Sequence, residues 1–320
     1  MLCAAMLFLP VLLSGCTEKK SESLSIGLGI YTSAEAENAT VSKNGGGTVT
    51  STAAAVLVDS SGKIVSCFLD VAENQISYTA SGEALADDKF LTKREQGDGY
   101  GMKTHGGASL EWYEQADVFE RACIGKTIDE IKALVASDGK GSDEVIRAGC
   151  TIDVSDFVKA ITKAVANATP SAATRRDTLK LGAATVRTAE DAAINANGKN
   201  QTDTTFFAAA VDPTDHITAA YSDCVEVEFS FNAAGISENS GQWTILSKRE
   251  AGDAYGMKTY GGASLEWYEQ ASTFDRACIG KKSAELSSLL GKDGYGIVAL
   301  QTAGCTILVN DFVKAASKIG

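Results

Sequence analysis

The sequence predicts an α+β fold made of two tandem repeats, each an antiparallel β-sheet followed by about three helices. Three observations carry this. A block at residues 93–126, KREQGDGYGMKTHGGASLEWYEQADVFERACIGK, returns at 248–281 as KREAGDAYGMKTYGGASLEWYEQASTFDRACIGK, with 28 of 34 positions identical. The offset of 155 persists beyond the block, so AGCTI at 148–152 returns at 303–307. Within each copy the apolar spacing changes from alternation to three-and-four, the change expected between strand and helix. Repeats of this length are tandem domains rather than a solenoid of short units.

The strands come first. SIGLGIYT (25–32) and TVTSTAAAVLV (48–58) are rich in Val, Ile, Thr and Ala. DSSG at 59–62 is a turn signal, and KIVSCFLDV alternates after it. That alternation predicts Val65, Cys67, Leu69 and Val71 on one face, with Ser66 and Asp70 on the other. NQISYT (74–79) is a further strand. In the second copy TTFFAAAVDPTDHITAAYSDCVEVEFSF repeats the hairpin, with Pro213 in its turn.

The helices follow. In SLEWYEQADVFERAC, residues Trp112, Ala116, Phe119 and Cys123 form one apolar stripe. Ser109 is the expected N-cap, with Glu111 in the first turn. TIDEIKALVAS opens on Thr127 and Glu130, a capping-box pair. DVSDFVKAITKAV puts Phe157, Ile161 and Val165 on one side, with Ser155 and Asn310 as the expected caps of the two copies. Between the copies NATPSAATRRD (167–177) has the composition of a linker. The predicted organisation is a signal segment at 1–16, a tether at 17–24, repeat domains at 25–166 and 178–320, and that linker.

Apolar residues make up 44% of the 320-residue chain and charged ones 22%, enough for a real core. The formal charge of −12 argues against nucleic acid as a partner, because phosphate binding needs a basic footprint. MLCAAMLFLPVLLSGC at the start carries no charge and is too short to span a bilayer as a helix. It fits the apolar part of a secretory signal. Its end, Leu13-Ser14-Gly15-Cys16, resembles a bacterial lipobox. That resemblance implies cleavage before Cys16 and a lipid on its thiol. The protein is then expected at the cell surface, held by lipid to the outer face of the cytoplasmic membrane.

Six further cysteines follow, three per copy: 67, 123, 150 and 224, 278, 305. Cys123 to Cys150 spans 27 positions, as does Cys278 to Cys305, so both pairs are disulfide candidates in an oxidising compartment. Cys67 and Cys224, in strands, read as buried thiols. There is no C-x-x-C, so zinc, thioredoxin-type redox and c-type haem sites are unsupported. The two histidines, His105 and His216, do not correspond between copies, which excludes a histidine-based triad or metal site present in both.

Two features remain as candidate chemistry. One is the glycine-rich loop QGDGYGMKTHGGAS with its copy AGDAYGMKTYGGAS, ahead of a helix. Gly97, Tyr100 and Gly101, with Gly252, Tyr255 and Gly256, are the candidate ligand-lining residues, since glycine lets backbone approach a ligand and a helix N-terminus favours an anion. The other is Thr151 and Thr306, each just ahead of the last helix.

The AGCTI–helix segment resembles the end of bacterial FMN-binding domains, in which a Ser-Gly-Ala-Thr motif leads into a helix. Here Ala148 and Ala303 stand at the Ser position, and Cys150 and Cys305 at the Ala position. The resemblance implies FMN joined through a phosphoester to Thr151 and Thr306 by a flavin transferase, and a redox partner to exchange electrons with. It implies a lipid-anchored flavin electron carrier rather than an enzyme with its own substrate. The residues by themselves leave a second reading open: a non-catalytic surface lipoprotein that binds a small ligand or a cell-envelope partner, without flavin.

Overall fold

A computed structural model describes residues 23–85, 90–239 and 241–319. The signal segment, Cys16 and nearly all of the tether lie outside the described residues. Each copy opens with three long antiparallel strands. In the first copy these are β1 (Ser25–Glu37), β2 (Gly45–Val58) and β3 (Ile64–Tyr78). Two twelve-residue helices follow, α1 (Trp112–Cys123) and α2 (Ser155–Ala166), with shorter turns of helix between them. The second copy repeats this with β4 (Thr178–Glu190), β5 (Gly198–Val211), β6 (Ile217–Phe231), α3 (Trp267–Cys278) and α4 (Asn310–Ala316). The α+β architecture predicted from the sequence is the architecture observed.

The copies are not beads on a string. Their sheets pack face to face, and one core lies between them: Leu28, Ile30, Ala53 and Leu57 from the first sheet, Leu181, Ala183, Phe206 and Ala210 from the second. The opposite face of each sheet carries its own helices. In the first copy Ala54 and Val56 meet Trp112, Phe119, Phe157 and Ile161. In the second Phe207 and Ala209 meet Trp267, Phe274 and Phe312. The layers therefore run helix, sheet, sheet, helix. The central strands explain themselves: the unbroken runs AAAVLV and FFAAAV are buried on both faces, as strands covered on two sides must be.

The two halves are related by an approximate twofold, and the contacts across it are reciprocal. Lys163 pairs with Glu250 at 2.6 Å, and Lys318, 155 positions later, pairs with Glu95 at 2.5 Å. Tyr78 and Phe231, the last residues of β3 and β6, stack on each other with centroids 4.2 Å apart. A short strand of the second copy, β7 (Gly241–Ile245), adds to the edge of β1 in the first. The 167–177 segment is part of this assembly rather than a free linker: Thr169 and Pro170 pair with β1, Ala173 is buried, and its carbonyl accepts from the Leu24 amide at 2.8 Å.

Two local expectations change, and one correspondence is new. Val65 is the extra residue of a bulge, since Leu57 pairs with Ser66 and Val58 with Ile64. It thus turns to the inter-sheet core while Cys67, Leu69 and Val71 face the helices. The caps also move by one or two residues. Glu111, not Ser109, precedes α1, and Val154 and Val309 precede α2 and α4. Finally, β3 aligns with β6 at an offset of 153, not 155, because Asp70 and Asp223 occupy the same place. Cys67 then matches Ala220 and Cys224 matches Val71, so the two strand cysteines are not equivalent.

Candidate functional site

The repeated AGCT is a tight turn with assigned directions. Gly149 and Gly304 adopt φ of +115° and +107°, and a Cβ on either would meet a leucine methyl, Leu110 or Leu265, at 2.6 or 2.7 Å. Only glycine suits both constraints. The next residue turns inward: Cys150 and Cys305 are fully buried. The next turns outward, so Thr151 and Thr306 are exposed.

Each threonine is held by a buried glutamine from the preceding long helix. Gln115 Oε1 accepts from the Thr151 amide at 2.8 Å and from its hydroxyl at 3.1 Å. Gln270 does the same for Thr306 at 2.8 and 3.0 Å. The glutamine amides donate in turn to the Leu110 and Leu265 carbonyls, which fixes their orientation. With its proton directed at the glutamine, the hydroxyl oxygen presents its free lone pair to solvent. Sequence reasoning missed these glutamines; their presence in both copies of the EWYEQ run was the available signal.

Thr306 stands on the rim of a cleft of about 410 Å³. Tyr255, Met257, Trp267 and Phe312 form its walls, and Lys248, Cys224 and the carboxylates Asp203 and Asp311 reach into it. That size and mixed lining are ordinary for a small-molecule site. The Lys248 ammonium lies 5.1 Å from the Tyr255 ring centroid and 5.8 Å from that of Trp267, and pairs with Glu226 at 2.9 Å. Burial opposes its charge, but the surrounding Cys224, Tyr255 and Glu226 outweigh that and hold its pKa above the usual lysine range. Burial raises Asp311 above an ordinary carboxylate and pushes the Cys224 thiol up to about 12. A thiol so placed stays protonated at neutral pH and is a poor nucleophile.

The glycine loops act indirectly. Gly97 and Gly252 take φ near +50°, with open space where a Cβ would go, and Gly101 and Gly256 are left-handed. They shape a tight turn that aims Tyr100 and Tyr255 at the helices; of these residues Tyr255 lines the cleft. The loop amides expected to meet an anion are already used. Glu111, almost fully buried, accepts from the amides of Met102 and Lys103 at 2.8 and 3.1 Å, and Glu266 repeats this at Met257 and Lys258.

Cys123, Cys150, Cys278 and Cys305, the candidates for bridging, are free buried thiols here, as are Cys67 and Cys224. Cys123 lies beside Cys67 and near Cys150. Burial pushes Cys150 and Cys305 up to about 11. Among the described residues no group of three or more His, Cys, Asp or Glu side chains is arranged to hold a metal.

Each copy also holds a buried acid–arginine cluster that escaped sequence reasoning. Asp70 accepts from the Arg94 amide, and Asp223 from that of Arg249. Burial pushes both aspartates up to about 6, and Glu120, beside Arg94, up to about 7. Acids raised in the folded state bind more protons than the unfolded chain from about pH 4 to 7, so their contribution to stability falls as pH rises through that window. We expect Asp70→Asn and Asp223→Asn to flatten this part of the melting-temperature profile, each by on the order of 1–3 kcal/mol between pH 4 and pH 8. A variant profile parallel to that of the unsubstituted protein would refute the assignment.

No family model matches the chain, and no solved structure matches it. A chlorophenol reductase of Desulfitobacterium hafniense is similar to it, 33% identical over 94 residues that cover 25% of this chain and 29% of that protein. The chain thus spans less than a third of the length of that curated relative, and the likeness concerns one stretch of each.

Proposed function

We propose that the protein is a flavin-bearing electron carrier, with FMN joined to the threonine of the AGCT turn. One observation carries the reading: an exposed, glutamine-anchored hydroxyl on the rim of an aromatic cleft. The residues present fit the group. Tyr255, Trp267 and Phe312 offer flat faces to a ring, and Lys248 supplies a fixed positive charge beside it. The similarity to a protein named for a reduction supports a redox setting.

Attachment would follow from a flavin transferase that consumes FAD. The threonine oxygen forms a bond to the flavin-side phosphorus, the pyrophosphate bond breaks, AMP leaves, and the hydroxyl proton passes to solvent. Gln270 orients the Thr306 oxygen for this step. Once bound, the flavin supplies one- or two-electron transfer. The chain's own part is to hold the ring, shield it from water and set the charge around it. In this reading Cys16 carries lipid on the outer face of the cytoplasmic membrane, and the partners are the transferase and a membrane or extracellular redox protein.

Full-length protein co-produced with a flavin transferase should be yellow, with FMN mass on threonine peptides. The double substitution Thr151→Ala/Thr306→Ala should remove all of it. Colourless protein under those conditions would overturn the proposal and leave the alternative, a lipoprotein that binds a different small ligand.

A further inference from the structure

We propose that the duplication is functionally asymmetric: the cleft beside Thr306 takes the flat aromatic ring, whereas its counterpart beside Thr151 is closed and structural. This rests on the flavin reading above and deepens it by naming the site. The strands of the two halves correspond at an offset of 153 and the helices at 155, so they can be compared position by position.

The first difference is on the sheet. Ala184 on β4 pairs in register with Thr205, a lining residue of the cleft. The equivalent of Ala184 in the first copy is Tyr31, paired with Thr52. Residues paired across antiparallel strands share a face, with Cβ atoms about 5 Å apart. The Tyr31 ring therefore rises where Ala184 leaves room, and it packs on the helix side of its sheet. The Lys159 ammonium caps it at 4.1 Å from the ring centroid and bonds Asp156 at 2.9 Å. Asp156 is the counterpart of Asp311, which lines the open cleft. Ring, ammonium and carboxylate thus form a closed stack in the first copy.

The second difference is at the rim. Tyr295 and Leu308 form a backbone bridge beside Thr306, and the same bridge in the first copy joins Lys140 and Asp153. Next to it Ile297 and Val298 replace Ser142 and Asp143. Tyr295 and Leu308 line the cleft and are 43% and 52% exposed, and Val298 near them is 78% exposed, so the second copy has apolar side chains at its cleft mouth where the first has Lys140, Asp153 and Asp143. Exposed apolar side chains at a pocket mouth suit a ligand with an apolar ring edge.

The test uses the full chain. Wild type, Thr151→Ala and Thr306→Ala are co-produced with a flavin transferase and read by in-gel flavin fluorescence and peptide mass. The expected result is one flavin per chain, kept in Thr151→Ala and reduced at least tenfold in Thr306→Ala. In parallel, unmodified protein is titrated with riboflavin by fluorescence quenching. One site is expected in wild type, at least tenfold weaker binding in Ala184→Tyr, and a second site in Tyr31→Ala. Equal labelling of both threonines, or labelling at Thr151 alone, would overturn the asymmetry while leaving the flavin reading intact; one unchanged site in Tyr31→Ala would overturn closure of the first site by that ring. Riboflavin binding with this variant pattern but no labelling would uphold the asymmetry and remove only covalent attachment. Neither labelling nor binding would overturn both.

Discussion

Replacing Arg249 with methionine should cost about 3–5 kcal/mol of stability, the range for removing one partner of a buried ion pair. The guanidinium is fully engaged. Its Nε donates to the Ser222 carbonyl at 2.5 Å, Nη1 to the Ser272 hydroxyl at 2.9 Å, and Nη2 to Asp275 at 2.6 Å. Its plane lies over the Tyr221 ring, 4.4 Å from the centroid. Both ion-pair side chains are about nine-tenths buried. Methionine keeps the volume but leaves Asp275 charged and unpaired, and weakens the field that favours ionised Asp223. Urea unfolding should show the loss, with partial recovery at low pH, where both acids protonate. The double variant Arg249→Met/Asp275→Leu should be more stable than Arg249→Met alone, since no buried charge is then stranded. Arg94→Met in the first copy should cost less, because one of its two acids, Asp117, is 39% exposed. Equal losses in the two copies would contradict this account.

That network shows what the sequence made legible and what it did not. Repetition exposed the unit, the strand-then-helix order and the position of the paired threonines, because these depend on local pattern. The run AAAVLV reads locally as a strand, yet nothing local said that both its faces are covered or that the second cover is the other copy. Long-range pairing therefore stayed hidden: the sheet-on-sheet core, β7 on the edge of β1, and the Lys163–Glu250 and Lys318–Glu95 contacts. The strands and the helices also run at different offsets, 153 and 155, which a comparison anchored on the identical block does not show. Of the cleft, Thr306 and Tyr255 were readable from motif. Lys248, Cys224 and Asp311 were not, since three separate elements bring them together.

The second large effect concerns how the last helix is seated. Gly29→Ala should destabilise the protein by about 3 kcal/mol or more, at the upper end of what overpacking costs. A Cβ at Gly29 would lie 2.2 Å from both the Ala160 carbonyl oxygen and the Ala164 amide nitrogen. These are backbone atoms of α2, so no rotamer change relieves the clash and the helix must move away from β1. At Gly182, its partner in the second copy, a Cβ would lie 2.1 Å from the Ala315 carbonyl oxygen of α4. Neither glycine has a positive φ, so the demand is for closeness alone. The helix is also tied down here by its own side chains: Lys163 donates to the Ile30 carbonyl at 2.9 Å and Asn167 to that of Leu28 at 3.0 Å. Displacing it would break both bonds and open the core around Phe157 and Ile161. It would also shift Thr151, four residues before the helix, away from Gln115. A lower midpoint in chemical denaturation is thus expected together with faster exchange of the Thr151 amide, which donates to that glutamine. Gly182→Ala should do the same at Thr306. Destabilisation without any change at the threonine amide would mean that the helix seat and the AGCT turn are independent, and that the glycines serve packing alone.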